Sequence, residues 1–413
     1  MADTRSDPTN YAASGRTDFD PWAPDVLEDP YPAYDWLRAN SPVHHVPLHD
    51  IWVVSRYSDL VSAVRNTEVF SSNQGNSYER RPVPMLVGLD PPEHTRVRRV
   101  VARHWTPRVI NLLRPRIERL VGDILDAALA KDDCDFLVDV CEPLPVTLIA
   151  EIMGVPTEDW PRFRRWSDAT VAQMAGPPTE ANELQIIEFG LYFMDLVARR
   201  QAEFDSGEHD IDDPNDMVGV LFGRTPDGDR LAPEEIMAMC VLLIVAGNET
   251  TTNLIANMGV EVLGQRPGVW RQVVEDRSLM ASFVEEGLRW TSPVQGLYRN
   301  TLSEVTVAGV SIPADAKVFL CYGSANRDEA QWPDADEFRL DRYPDAPNDA
   351  DHVAFASGIH HCLGAHLARL EATVMFEQLA DRVAEFEVTG PLVRGGNPSI
   401  RGIRHLPVRL TGR

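Results

Sequence analysis

Apolar positions along this chain recur mostly with helical period. They predict helices over residues 30–38 and 59–66 and, after a proline- and glycine-dense loop at 74–92, from 92 onward and over 114–130, 145–153, 159–174 and 180–204. Two short runs, 43–46 and 51–55, predict a hairpin. An acidic loop at 208–216 lacks the glycine and terminal glutamate of a calcium loop and reads as a solvated turn. Pro233, Glu234 and Glu235 then open an apolar run that stops only at Arg266 and Pro267, a helix of roughly 33 residues and 50 Å that must cross the core. A helix at 279–290 and brief strands at 305–307, 311–312 and 317–320 follow. Residues 327–351, rich in Pro and Asp, carry no period, which is unusual in a compact domain and calls for a reason. A last helix is predicted over 363–387, with a closing hairpin strand at 408–410. The pattern is mainly α with a smaller β-rich region.

Three places break the pattern. Inside the long helix, Ala246-Gly247-Asn248-Glu249-Thr250-Thr251-Thr252-Asn253 is a polar island of poor helix formers. Buried polar groups cost free energy unless partnered, so the island predicts a functional distortion; its bland alternative is an exposed face whose threonines bond back to helix carbonyls. Glu286 and Arg289 share a helix face at i, i+3. The glycine-punctuated loop Phe355-Ala-Ser-Gly358-Ile-His360-His361-Cys362-Leu-Gly364 presents one cysteine at a predicted helix start, where free N–H groups favour a thiolate.

Composition narrows the class. The 413 residues suit one large core or two domains, and five cysteines without regular spacing argue against a disulfide framework and for a reducing, cytoplasmic setting. The N-terminus has no apolar signal region and no apolar stretch approaches bilayer length, so no membrane span is expected. A net charge of −24 disfavours nucleic acid. Against it, eight arginines (Arg96, Arg98, Arg99, Arg103, Arg108, Arg114, Arg116, Arg119) crowd residues 90–120, either as a solvated face or as a dock for an anionic partner or cofactor.

Cys362 has three possible chemistries. A nucleophile wants a placed histidine and an oxyanion partner, and neighbouring His360 and His361 do not supply that geometry by adjacency. Zinc wants paired ligands, and the other cysteines lie far away. Haem wants one axial sulfur, a flat apolar slot, cations for two propionates and a distal wall, and the chain offers all four.

Together these residues resemble the cytochrome P450 family. The cysteine loop is similar to its F-G-x-G-x-H-x-C-x-G pattern, with Ala356 where glycine is commoner; Ala246 to Thr251 resembles its A-G-x-[DE]-T-T, and Glu286 and Arg289 its E-x-x-R. Arg342 falls at its meander arginine, and residues 90–98 resemble the opening of its third long helix. The resemblance implies a cytochrome P450 fold over residues 19–413 as a single catalytic domain, behind a polar tail at 1–18, and haem b as cofactor. It implies Cys362 as the iron ligand, with Phe355 packed beside the sulfur and Gly358 and Gly364 admitting the haem plane. His94, Arg98, Arg299 and His360 would serve the propionates, with His352 a lesser candidate. Ala246 and Gly247 would open the distal side, Thr250 would hold oxygen and Glu249 would relay protons. Glu286, Arg289 and Arg342 would brace the fold. Substrate would touch Met85, Leu86, Val87, Leu242, Val245, Ala246, residues 294–297 and Ile400. The implied activity is insertion of one oxygen atom from O2 into a hydrophobic small molecule, with electrons from a separate acidic ferredoxin; the alternatives are a peroxide-driven or non-oxidative enzyme of this fold, or a haem sensor.

Overall fold

The computed structural model describes residues 18–176, 179–207, 215–224, 228–347 and 350–413. The predicted acidic turn therefore lies almost wholly outside the described residues, as does the polar tail. Helices in chain order are α1 (Pro24–Glu28), α2 (Tyr31–Asn40), α3 (Tyr57–Arg65), α4 (Glu93–Val101), α5 (Pro107–Asn111), α6 (Arg114–Leu129), α7 (Pro143–Met153), α8 (Trp160–Ala175), α9 (Glu180–Ser206), α10 (Met217–Phe222), α11 (Pro233–Met258), α12 (Pro267–Glu275), α13 (Met280–Thr291), α14 (Tyr322–Ala325) and α15 (Ala365–Arg382).

The organising element is α11. Pro233 occupies its first turn, where a missing N–H costs nothing, and the Glu235 carboxylate accepts from the Ala232 N–H at 2.8 Å. It packs against α7, α8, α9, α13 and α15, so helices surround it. By length and composition Pro233–Gly264 is apolar enough to cross a membrane, which the sequence reading overlooked; most of it is buried in protein instead. The polar island does not distort it. The helix runs regularly through residues 246–253 and widens to a π-turn only at Gly259–Gly264, where a Cβ on Gly259 would lie 2.6 Å from the Phe136 ring.

The strands are β1 (Val43–Val46), β2 (Ile51–Val54), β3 (Phe70–Ser71), β4 (Cys134–Asp135), β5 (Leu297–Thr301), β6 (Val305–Val307), β7 (Val310–Ile312), β8 (Lys317–Leu320), β9 (Val383–Val388), β10 (Val393–Arg394), β11 (Ile403–His405) and β12 (Pro407–Gly412). The largest sheet runs β1-β2-β8-β5-β3, with β2 and β8 parallel. Two predictions are corrected at the C-terminus. The last helix ends at Arg382, and the next six residues form β9, antiparallel to β12. Val-Ala-Glu-Phe-Glu-Val alternates well enough to serve as a strand, and pairing with β12 outweighs its helical spacing. The glycine-rich turn before β12 closes the β10–β11 ladder, so β12's neighbours are β9 and β4.

Among the described residues, 327–347 and 350–351 form no helix or strand, and one ion pair braces them instead. Arg289 and Glu286 on α13 are fully buried and paired twice, at 2.7 and 2.8 Å. Arg289 then donates to the carbonyls of Asn326, Ala335 and Glu337, while Glu286 accepts from the Arg339 N–H and from Arg342. Arg342 itself donates to Pro333 and Asp334 carbonyls. Backbone polar groups that a helix would satisfy internally are satisfied by one guanidinium and one carboxylate. Glu286→Ala leaves that guanidinium buried without its counter-charge and should cost about 3–5 kcal/mol in urea unfolding. A loss under about 1 kcal/mol would contradict this role.

Candidate active site

The cysteine loop runs directly into α15, with Leu363 and Gly364 between Cys362 and the first helical residue, Ala365. Phe355 O accepts from the Cys362 N–H at 2.9 Å, folding the loop back on itself. Gly358 (φ 67°) and Ala356 (φ 56°) both adopt left-handed backbone. Ala356, where the family pattern has glycine, thus bears a Cβ in a conformation that disfavours one. Cys362 keeps accessible surface yet is set deep enough that burial pushes its thiol pKa up, against the opposing Gly364 N–H and the charges of Arg98 and Arg369. The expected net gain from the helix terminus is thus overridden by desolvation. Phe355 sits under the Arg369 guanidinium at 4.6 Å, and a Cβ on Gly364 would lie in ordinary contact with Trp105, 3.8 Å away.

A cationic cluster lies beside the loop. His94 on α4 and His360 stack edge to face at 4.6 Å, and the His360 Nε2 is 3.2 Å from Ser72 Oγ. His94 is buried with neither ring nitrogen hydrogen-bonded. Burial, then the Arg98 charge, lowers its pKa to about 4, and burial with Arg299, His94 and Arg98 lowers that of His360 to about 2. Arg98 donates to His361 O at 2.7 Å and buried Arg299 to Tyr298 O at 2.7 Å; neither has a carboxylate partner among the described residues. Thus the two arginines and two histidines predicted to act together are together, the histidines neutral near pH 7 and the Asp90 carboxylate opposing the shift only at His94. His352 is elsewhere: its Nε2 meets Glu285 at 2.9 Å, and Arg369 grips the same carboxylate.

On α11, Ala246 is exposed although most of its helix is buried, and Leu242 and Val245 beside it are half-buried. Gly247 faces the other way, its absent Cβ leaving room for Ile149 of α7, 3.0 Å from where that atom would be. Thr250 Oγ1 donates to Ala246 O at 2.9 Å, the back-bond of the bland reading, which leaves its oxygen free to accept. Glu249 contradicts that reading's other half, since it is largely buried, with 12% side-chain exposure, and one oxygen has no partner. It lines a polar cleft with Glu142, Arg164, Asp168, Asn248 and Arg404. Burial raises both Glu249 and Glu142 to about 7. Of the expected substrate contacts, Val294 and Ile400 are joined by a β-bridge.

Comparison with known proteins settles the family. A cytochrome P450 family model matches residues 259–390. Cytochrome P450 109 of Bacillus spizizenii is 36% identical over 392 residues, covering 92% of each chain, and the vitamin D(3) 25-hydroxylase of Pseudonocardia autotrophica is 37% identical over 398 residues, covering 93% of this chain and 94% of that one. The chain belongs to the cytochrome P450 family. The structure of CYP109Q5 from Chondromyces apiculatus superposes with a TM-score of 0.83 at 34% identity, covering 96% of this chain and 99% of that one. That of CYP109E1 from Bacillus megaterium with testosterone gives 0.83 at 31%, covering 93% and 98%.

As a P450, the protein is an oxidoreductase of mainly helical fold whose cofactor is haem. The residues present fit that group. A buried histidine with two unbonded nitrogens and two arginines without acids suit a ligand with two carboxylates, and an accessible sulfur lies in the loop between them.

Sequence reasoning missed Glu371, buried on α15 and hydrogen-bonded to Thr251 of α11, with its pKa pushed to about 8 by burial. Its signal was available: it follows Leu367 by four residues, on the apolar face. Glu142, Arg164, Asp168 and Arg404 carried none, being brought together only by tertiary packing.

A glutamate whose folded-state pKa rises from 4.5 to about 7 destabilises the fold once the unfolded chain ionises. Stability is therefore lost as pH rises from about 4.5 to 7 and changes no further through this group above that. Glu249→Gln removes the loss and should gain on wild type by roughly 2 kcal/mol between pH 4.5 and 7.5 in urea unfolding. A pH-independent difference would contradict the buried-carboxyl assignment.

Proposed function

We infer that this P450 inserts one oxygen atom from O2 into a hydrophobic small molecule, using electrons from a separate acidic ferredoxin and its reductase. The observation that supports it most is the gathering of a sulfur with two arginines and two histidines that make no carboxylate ion pair, together with a threonine and a buried glutamate on α11. Bound haem supplies the oxygen-activating iron, and thiolate ligation favours O–O cleavage. Cys362 provides the thiolate; His94, Arg98, Arg299 and His360 hold the carboxylates, with Phe355, Gly358 and Gly364 shaping the loop around the sulfur. Thr250, its hydroxyl hydrogen held by Ala246 O, orients water through the lone pairs left free on its oxygen. Glu249, with a pKa near neutrality, takes protons from the cleft of Glu142, Asp168 and Arg404 and passes them inward. A haem sensor or a peroxide-driven enzyme would need no such relay.

We read residues 19–413 as one catalytic domain working in the cytoplasm. An apolar substrate fits half-buried Leu242, Val245, Val294 and Leu297 beside exposed Ala246, and relatives named for vitamin D(3) and solved with testosterone support a hydrophobic molecule. The ferredoxin dock is narrower than the count of arginines implied. Arg96 pairs with Glu235, Arg114 with Glu118 and Glu377, and Arg116 with Glu151, leaving exposed Arg103 and Arg108 as its best-placed cations.

A compound screen for spin-state shifts, followed by product analysis, identifies substrates. With one in hand, Thr250→Ala should lower product per reducing equivalent several-fold while haem content stays unchanged, because proton supply and not cofactor binding is impaired. Full coupling in this variant would overturn the role of Thr250.

A further inference from the structure

Helix α9 buries Phe189, Phe193, Leu196 and Val197 and packs on α8 and α11. Its outer face is not the polar face such a helix ordinarily shows. Leu184, Ile187, Leu191 and Met194 are 60%, 58%, 58% and 56% exposed, and exposed Ala198 and Ala202 extend the same line. Surface apolar residues normally scatter singly, whereas these recur at 3-4-3 spacing, the seam of two packed helices.

The spacing also identifies what covers the seam. Positions 184 and 194, and 187 and 191, are equidistant from a point near residue 189. A two-fold axis through that point, perpendicular to the helix, sets Leu184 against Met194 and Ile187 against Leu191 of a second copy, and the reverse. That reciprocity is what a symmetric interface requires. The charges agree. Two of the acids flanking the seam are neutralised within the chain, Glu188 by Arg162 at 3.3 Å and the Trp166 indole at 3.2 Å, and Asp195 by Arg199 at 3.0 Å, while Glu180 and Glu183 stand exposed at its first turn. Antiparallel pairing brings exposed Glu180 of one helix alongside Arg199 of the other, sets Glu183 opposite Asp195, whose charge Arg199 already meets, and opposes the two helix dipoles; parallel pairing would set Glu180, Glu183, Glu188 and Asp195 each against its own copy. A lipid surface suits the face poorly, because acids and not lysines border its first half and the chain carries a net charge of −24.

We propose that α9 is a homodimer interface, pairing antiparallel with α9 of a second copy through Leu184, Ile187, Leu191 and Met194. The surface lies outside the haem-binding machinery, so the inference is independent of the proposed chemistry.

Sedimentation velocity of the haem-loaded full chain over a hundredfold concentration range tests it, with dimer expected at the upper end. Leu184→Glu with Leu191→Glu should weaken the dimer by at least about tenfold, the equivalent of 1.4 kcal/mol, while the spectrum of the reduced carbon monoxide complex stays that of wild type. For orientation, Leu184→Cys and Met194→Cys chains are mixed and oxidised. Crosslinks between the two variants are expected, and crosslinks of Leu184→Cys chains to one another would overturn the antiparallel arrangement. A monomer at every concentration, a dimer indifferent to the glutamates, or monomers that bind lipid vesicles through this face would each overturn the proposal.

Discussion

A bidentate ion pair with no solvent exposure, Glu286 with Arg289, is the interaction on which the functional end of this molecule hangs. Desolvating both charges is costly, and a carboxylate and a guanidinium in fork geometry recover that cost only when every remaining donor finds an acceptor. Here the remaining donors find the carbonyls of 326, 335 and 337, so satisfying Arg289 and folding the irregular stretch are the same event. That stretch delivers the chain to Phe355 and Cys362. A helix there would have carried the sulfur away from the bundle; a braced, aperiodic segment lets the loop lie against α4 and the N-terminal end of α15.

The second constraint is electrostatic. The protein gathers His94, Arg98, Arg299 and His360 with no carboxylate ion pair to any of them among the described residues, in a chain with an excess of 24 negative charges. Burial first, and the neighbouring arginine charges second, lower both histidine pKa values, so the imidazoles are held neutral there. The cluster's chemistry is complementary to a ligand with anionic ends. Across α11 the logic reverses: Glu142, Glu249 and Glu371 are held with raised pKa values, so carboxyls near neutrality adjoin the helix that carries Thr250. One side thus stabilises negative charge and the other stores protons.

Local pattern made much of this legible. The long helix, the cysteine loop and the E-x-x-R pair could be named from spacing, because each depends on neighbours within a few residues, whereas the two histidines and two arginines were named only through the family resemblance. What escaped depends on distant partners. Residues 383–388 read equally as helix or strand until β12 is beside them. Gly247 was expected to open the distal side, yet the helix phase turns it toward Ile149. The polar island was expected to bend α11, but Thr250 satisfies its hydroxyl on Ala246 and Asn253 accepts from the Ile403 N–H, so regular helix persists. The cleft around Glu249 draws on four separated segments, and no periodicity encodes it.

The central claim is that Cys362 binds haem iron as a thiolate. Its most direct measurement is the absorption spectrum of the reduced, haem-loaded protein with carbon monoxide. The strongly red-shifted band of a thiolate-ligated carbonyl complex is expected in the wild type and its loss in Cys362→His, with haem still bound. A wild-type protein without that band, or a variant that keeps it, would contradict the assignment.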